Sequence, residues 1–136
     1  MIFQVGVSQI PYRSETVSLA GSEIYYEVYG EGEPLFLLHG YTQSSKYWYS
    51  FLSKFLDNFQ VYLVDLSGHG KSGAFKNTLS IRSAADDLAR LIDYLHLDSI
   101  KAIGYSYGGD VMFQLAIRRP GMVKSFISIG AWYLES

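Results

Sequence analysis

The sequence predicts an α/β fold, with a mostly parallel sheet, helices on both of its faces and an antiparallel hairpin at its N-terminal end. Two observations carry this prediction. Short apolar runs that end in glycine alternate with stretches of helical periodicity, in the order β-β-β-α-β-α-β-α-β. The first two strands surround a glycine turn, and the second alternates with a period of two residues.

The hairpin is predicted in ETVSLAGSEIYYEVYG, with its turn at Ala20-Gly21-Ser22. Two groups of side chains alternate along its second strand: Ile24, Tyr26 and Val28 in one group, and Tyr25, Glu27 and Tyr29 in the other. This alternation indicates a sheet with two different faces. The continuous apolar run PLFLLHG that follows is typical of a parallel strand buried on both faces.

Three helices are predicted from apolar stripes. They contain Tyr47, Trp48, Phe51, Leu52, Phe55 and Leu56; then Ile81, Ala84, Leu88, Leu91, Ile92 and Leu95; and then Val111, Met112, Leu115 and Ala116, before Pro120. Strands are predicted between and after them in FQVYLVD, IKAIGYS and MVKSFISIG. Three glycine-marked loops therefore meet at the carboxyl edge of the sheet, where α/β proteins place their chemistry.

Composition excludes several classes of function. The net charge is −2 and the basic residues are dispersed, so no electrostatic footprint for nucleic acid is present. The chain has no cysteine, which excludes disulfides, thiolate nucleophiles and cysteine metal sites. No apolar stretch is long enough to cross a membrane and the N-terminus is a poor signal peptide, so we expect a cytoplasmic protein without a cofactor or metal. The 16% aromatic share suits either a core or a ring-lined pocket.

The stretch GYSYGG, residues 104–109, matches the G-x-S-x-G pattern of a nucleophilic serine on a strained turn between a strand and a helix. Gly104 and Gly108 remove β-carbons that would clash in such a turn, and Gly109 lets the helix begin close to the sheet. The alternative is a glycine-rich turn that contains a serine by chance. The predicted strand before Ser106 and helix after it favour the nucleophile.

Two further loops are expected to lie at the same edge of the sheet as Ser106. In LLHGYTQ, the backbone N–H of Tyr41 can join that of Tyr107 to form an oxyanion hole, while His39 closes a buried strand and is expected to be structural. In GHGKS, Gly70 and the two residues after it imitate a phosphate-binding loop. Asp65 stands where that loop needs its first glycine, which favours a tight turn in which Asp65 bonds loop amides.

The motifs LFLLHGYTQSSKYW, VYLVDLSGHGKSG and AIGYSYGG, in this order and spacing, resemble the α/β-hydrolase fold family, and the resemblance runs from about Thr16 to the C-terminus. It implies Ser106 as nucleophile, the Tyr41 and Tyr107 amides as oxyanion hole, and a carboxylic ester or related acyl substrate. It also implies a structural turn built by Asp65, Gly68 and Gly70. Relatives with an aspartate nucleophile, such as haloalkane dehalogenases and epoxide hydrolases, are disfavoured by the serine at position 106.

The family's triad runs in the order serine, acid, histidine, but no histidine follows Ser106. His39, His69 and His96 all precede it, and none fits the base. Glu135 is the only acidic residue after the last predicted strand. We therefore expect residues 1–136 to form one partial domain, strands one to six of the fold, without the C-terminal strands, lid and triad acid and base.

Two hypotheses of function remain. The first is the nucleophile-bearing half of a serine esterase, nearly inactive by itself. The second is a non-catalytic interaction or assembly protein that retains the hydrolase core. In either case the last strand is expected to be an open edge, which invites self-association or pairing with a complementary C-terminal half. An incomplete reading frame, a deliberately shortened chain and a natural half are all consistent with the sequence.

Overall fold

The computed structural model describes residues 10–73 and 80–130. Six strands, one 3-10 helix and two α-helices occur in these ranges. Their bounds are β1 Tyr12–Leu19, β2 Ser22–Tyr29, β3 Glu33–Leu38, the 3-10 helix Ser45–Lys54, β4 Phe59–Asp65, α1 Ile81–Tyr94, β5 Ile100–Tyr105, α2 Tyr107–Arg118 and β6 Val123–Ile129. The predicted order of elements is confirmed. Glu135, which the sequence analysis weighed as an acid, lies outside the described residues.

The strands form one sheet in the order β1-β2-β4-β3-β5-β6. The β1–β2 and β2–β4 pairs are antiparallel, whereas β3 pairs in parallel with β4 and β5, and β5 pairs in parallel with β6. This is the predicted mostly parallel sheet with an N-terminal hairpin. Since β3 and β5 are parallel neighbours, the loops that follow them leave the sheet at the same edge, which brings the HGYTQ and GYSYGG motifs together.

A hydrophobic core lies on each face of the sheet. The larger core packs α1 and α2 against one face, with residues such as Phe36, Leu38, Leu91 and Met112 almost fully buried. The smaller core lies under the 3-10 helix on the other face and includes Leu35, Leu37, Trp48, Val61 and Leu63. Successive residues of β3 thus enter opposite cores, as its uninterrupted apolar run predicts. Helices on both faces are confirmed.

The first predicted helix is a 3-10 helix, and its apolar stripe is less buried than its periodicity predicts. Trp48 is buried, but Phe51 is 39% exposed. The backbone N–H of Ser45 and its hydroxyl group donate to the Asp65 carboxylate at 2.8 and 2.6 Å, which holds the start of the helix against β4. A local bond from the N–H of Phe55 to the carbonyl of Leu52 ends the helix.

A buried carboxylate holds the same helix against β2. Glu27 is 3% exposed and accepts hydrogen bonds from three tyrosine hydroxyls, those of Tyr25 at 2.7 Å, Tyr29 at 2.8 Å and Tyr49 at 2.8 Å. Burial, reinforced by Glu27, raises the pKa of Tyr49 to about 12 and raises the pKa values of Tyr25 and Tyr29 further. The three phenols therefore remain protonated donors, and Tyr49 ties the 3-10 helix to the sheet.

The strand β6 is the last strand of the described sheet and has one neighbour, β5. Phe126 packs edge-on against Phe113 of α2, with ring centroids 4.8 Å apart, so one face of β6 is covered. On the other face Ile127 is 60% exposed and Ile129 is 46% exposed. Among the described residues, no helix is long and apolar enough to cross a membrane.

We expect Glu27→Ala to lower the free energy of unfolding by about 2–3 kcal/mol, because it leaves three tyrosine hydroxyls without their acceptor. The matched control is Glu31→Ala, at an exposed position in the turn between β2 and β3. Urea denaturation followed by circular dichroism measures both. Equal stability of the two variants would contradict the assigned role of Glu27.

Candidate active site

Ser106 lies at the sharp turn between β5 and α2, here named the elbow, in a strained backbone conformation. Its φ is 50° and its ψ is −114°, a region that residues other than glycine rarely adopt. Hydrogen bonds fix both the backbone N–H and the backbone carbonyl of Ser106. The N–H of Ser106 donates to the carbonyl of Ile129 at 2.8 Å, and its carbonyl accepts from the N–H groups of Gly109 at 2.9 Å and Asp110 at 3.2 Å. The Ser106 side chain is thereby directed by its backbone.

Two glycines permit this turn by the absence of a side chain. A β-carbon on Gly104 would lie 2.6 Å from the carbonyl carbon of Gly108 and from the nitrogen of Gly109. A β-carbon on Gly108 would lie 2.6 Å from the carbonyl oxygen of Leu38 and 2.7 Å from that of His39. Both distances are shorter than a β-carbon tolerates, so α2 can approach β3 and β5 only with glycine at these positions. The steric role predicted for Gly104 and Gly108 is confirmed.

The two amides predicted for an oxyanion hole lie on segments that touch each other. The rings of Tyr41 and Tyr107 pack edge to face, with centroids 5.7 Å apart. Tyr107 is the first residue of α2, where backbone N–H groups have no partner within the helix. Among the described residues, neither the Tyr41 nor the Tyr107 N–H donates a hydrogen bond. The oxyanion hole itself stays a prediction, with its two expected donors on adjoining segments.

His39 has a structural environment. It is fully buried, its Nε2 accepts the N–H of Leu66 at 2.9 Å, and its Nδ1 must therefore carry the proton that it donates to the carbonyl of Gly40 at 2.8 Å. Burial lowers the pKa of His39, which keeps the ring neutral. Both ring nitrogens are engaged with backbone groups, as a structural histidine requires.

The other two histidines lie in turns, where His69 is buried and His96 is exposed. His69 is 7% exposed, bonds the carbonyl of Ser67 through Nδ1 at 3.0 Å, and packs against the ring of Tyr107 with centroids 5.4 Å apart. His96 is exposed in the turn that follows α1. In the described part of the chain, no histidine forms a hydrogen bond with the Ser106 hydroxyl.

The GHGKS turn is held by Asp65, as the sequence predicts. The Asp65 carboxylate accepts the N–H of Lys71 at 2.8 Å in addition to its bonds from Ser45. The hydroxyl of Ser72 accepts the N–H of Tyr25 at 2.9 Å and donates to the carbonyl of Asp65. Because this hydroxyl joins two backbone segments, the geometry favours a tight turn rather than a phosphate loop.

Two polar groups near the elbow were not singled out by the sequence. The hydroxyl of Tyr107 and Oδ1 of Asp110 are buried without a hydrogen-bond partner among the described residues. Burial, with Tyr41 and Asp110 nearby, raises the pKa of Tyr107 to about 12, and burial also raises the pKa of the Asp110 carboxyl. The only sequence signal was an acidic residue in the first turn of a helix, which is too common to identify such a group.

We expect Gly108→Ala to lower the free energy of unfolding by about 3 kcal/mol, because its methyl group would be forced against two backbone carbonyls of the β3 end. Gly73→Ala is the matched control, since the nearest backbone atom to an added β-carbon, the carbonyl oxygen of Glu23, lies 3.7 Å away and the nearest atom of any kind, the β-carbon of Glu23, lies 3.2 Å away. That control should stay within about 1 kcal/mol of wild type. Thermal and urea unfolding measure both changes, and a Gly108→Ala protein as stable as wild type would contradict the steric account of the elbow.

Comparison with known proteins places this geometry in a family. The sequence pattern of the α/β hydrolase fold matches residues 33–136. The pimeloyl-[acyl-carrier protein] methyl ester esterase of Nitrosospira multiformis is 36% identical over 107 residues, which cover 76% of this chain and 40% of that protein. The chain spans less than half the length of the first curated relatives that it matches.

Solved structures of other proteins share the fold of this chain. The epoxide hydrolase CorEH superimposes with a TM-score of 0.85 at 28% identity, over 90% of this chain and 44% of that one. Est816, described as an N-acyl homoserine lactone degrading enzyme, superimposes with a TM-score of 0.81 at 32% identity, over 86% of this chain and 45% of that one. With the elbow, the sheet order and the family pattern in agreement, the chain belongs to the α/β-hydrolase fold family.

Proposed function

We propose that this chain is the nucleophile-bearing half of a serine hydrolase that acts on carboxylic esters or related acyl compounds. The observation that carries the proposal is the strained backbone of Ser106, with a φ of 50° at the start of α2. Strain of this kind costs about 1–3 kcal/mol and is typical of functional positions. The names of relatives in the family refer to reactions on different kinds of chemical bond. The serine at position 106 favours acyl transfer over reactions that need a carboxylate nucleophile.

In the proposed reaction the Ser106 oxygen attacks the acyl carbon, and a base accepts the hydroxyl proton as the new bond forms. The carbonyl oxygen becomes an oxyanion that accepts hydrogen bonds from the Tyr41 and Tyr107 amides. The intermediate expels the alcohol, which takes a proton, and water then releases the acyl group in a second cycle of the same kind. The position of Tyr107 at a helix N-terminus further favours negative charge there.

No histidine of the described residues bonds the Ser106 hydroxyl, so in this proposal the base comes from another segment. We propose that a complementary C-terminal half supplies a histidine and its acid, and that it adds to the open edge of β6. Three features support this location. In the described sheet β6 has one neighbour, its Ile127 and Ile129 side chains are exposed, and the carbonyl of Ile129 already accepts the N–H of Ser106. A segment seated on β6 would therefore lie next to the nucleophile.

The second candidate function is a non-catalytic assembly protein that keeps the fold and uses the β6 edge as its interface. The observation in its favour is that no histidine of the described residues bonds the Ser106 hydroxyl. The two candidates share the same edge but differ in chemistry. A completed assembly is catalytic in the first and inert in the second.

The test is to extend the reading frame, or to co-express the chain with the matching C-terminal half of a close relative. Alone, the chain should self-associate through its open edge and hydrolyse a p-nitrophenyl ester about a million-fold more slowly than a complete enzyme. Once completed, it should sediment as one species, hydrolyse the ester, and be labelled at Ser106 by a fluorophosphonate.

Ser106→Ala should abolish hydrolysis and labelling of the completed protein without unfolding it. Ser50→Ala, at an exposed position of the 3-10 helix, is the matched control and should retain both. A folded, completed protein that is not labelled would refute the hydrolase and favour the assembly protein. Full activity of Ser106→Ala would refute the nucleophile.

A further inference from the structure

The segment that carries the Tyr41 amide is a four-residue turn, Gly40 to Gln43. Gln43 closes this turn with two hydrogen bonds to Gly40. The backbone N–H of Gln43 donates to the carbonyl of Gly40 at 3.1 Å. Its side-chain oxygen Oε1 accepts the backbone N–H of Gly40 at 2.9 Å. One residue thus bonds both polar backbone groups of Gly40.

The turn is strained and depends on such bonds. Thr42, at its third position, has a φ of 64°, a left-handed conformation that a β-branched residue rarely adopts. The fit around Gly40 is also tight, because a β-carbon there would lie 2.9 Å from Oε1 of Gln43 and 3.0 Å from the ring of Tyr105. The Gln43 side chain therefore lies directly against the glycine that it bonds.

Peptide planarity connects these bonds to the direction of the Tyr41 N–H. The carbonyl of Gly40 and the N–H of Tyr41 belong to the same planar peptide group and point in opposite directions. That carbonyl is held by Nδ1–H of His39 at 2.8 Å and by the N–H of Gln43. The N–H of Gly40, in the preceding peptide group, is held by the Gln43 side chain. With both groups fixed, the Tyr41 N–H has one direction in which to point.

We infer that Gln43 is a positioning residue for the oxyanion hole, which aims the Tyr41 amide by accepting the N–H of Gly40. The inference rests on the proposed function, because it assigns the Tyr41 amide to the oxyanion. Gln43 touches no reacting atom and acts through the turn. Its side-chain oxygen is the essential group, so an acceptor of the same length can replace it and an apolar side chain cannot.

The variants that test this are Gln43→Met, which keeps the length but lacks an acceptor, and Gln43→Glu, which keeps the acceptor. Lys46→Ala is the matched control, at an exposed position of the following helix. The substrate is p-nitrophenyl acetate and the protein is the 136-residue chain. Where triad groups are missing, the hydrolysis that exceeds the rate in water comes from the oxyanion hole and binding, so this residual rate reports on the hole itself.

Gln43→Met should lower the residual kcat about tenfold with KM unchanged, less than the loss of an entire oxyanion donor. Amide hydrogen exchange measured by NMR should be about tenfold faster at Gly40 in the same variant, because its acceptor is gone. Gln43→Glu should restore the protection of Gly40, while its added negative charge keeps the residual kcat below that of wild type. Lys46→Ala should match wild type in both.

The outcomes separate this inference from the proposed function. If Gln43→Met keeps the residual kcat of wild type, Gln43 does not position the amide, and the hydrolase proposal is unaffected. If Gln43→Met does not fold, a Gln43→Glu protein that folds but loses the residual rate and the protection of Gly40 would equally overturn the inference. If the wild-type chain never exceeds the buffer rate, the Tyr41 amide is not aimed in the chain alone and the inference is overturned, whereas the proposed function is decided by labelling and hydrolysis of the completed protein.

Discussion

The backbone of Ser106 is the constraint on which the candidate site depends. A non-glycine residue with a φ of 50° persists only where its surroundings fix it, and here three separate elements do so. The end of β6 accepts the Ser106 N–H through Ile129, and the first turn of α2 donates to its carbonyl. Gly108 lets α2 approach the carbonyls at the end of β3. The backbone conformation of the elbow therefore depends on contacts with β3, β6 and α2 together.

Two buried carboxylates extend this organisation to the other side of the sheet. Asp65, at the end of β4, bonds Ser45 and Lys71, and so joins the start of the 3-10 helix to the GHGKS turn. Glu27, on β2, collects three tyrosine hydroxyls and fixes the same helix one turn later through Tyr49. Because the turn from Gly40 to Gln43 precedes this helix, its position is determined at one end by β3 and at the other by these carboxylates. Buried carboxylates that are fully bonded can specify such an arrangement, whereas an unpaired one would be costly.

The sequence was informative where a feature is local. The continuous apolar run of β3 and the glycine pattern around Ser106 follow from the steric and burial requirements of one segment, and the structure has them as predicted. The alternation in β2 places Ile24, Tyr26 and Val28 in the larger core, but Tyr25 and Glu27 on the other face are buried as well. The failures involve partners that lie far apart in the chain. The burial of Glu27 depends on Tyr49 from another element, and Phe51 is exposed although its spacing places it on the apolar stripe of the 3-10 helix. Gln43 is local, but its bond to Gly40 requires a left-handed Thr42, which no residue pattern signals.

We propose that Ser106 and the amides of Tyr41 and Tyr107 form one acyl-transfer site. A crystal structure of the completed protein after reaction with a fluorophosphonate tests it most directly, because the phosphonyl oxygen occupies the place of the oxyanion. We expect phosphorus bonded to the Ser106 oxygen, with the phosphonyl oxygen about 2.7–3.1 Å from both backbone nitrogens. A phosphonyl oxygen directed away from both amides, or phosphorus attached to another residue, would contradict it.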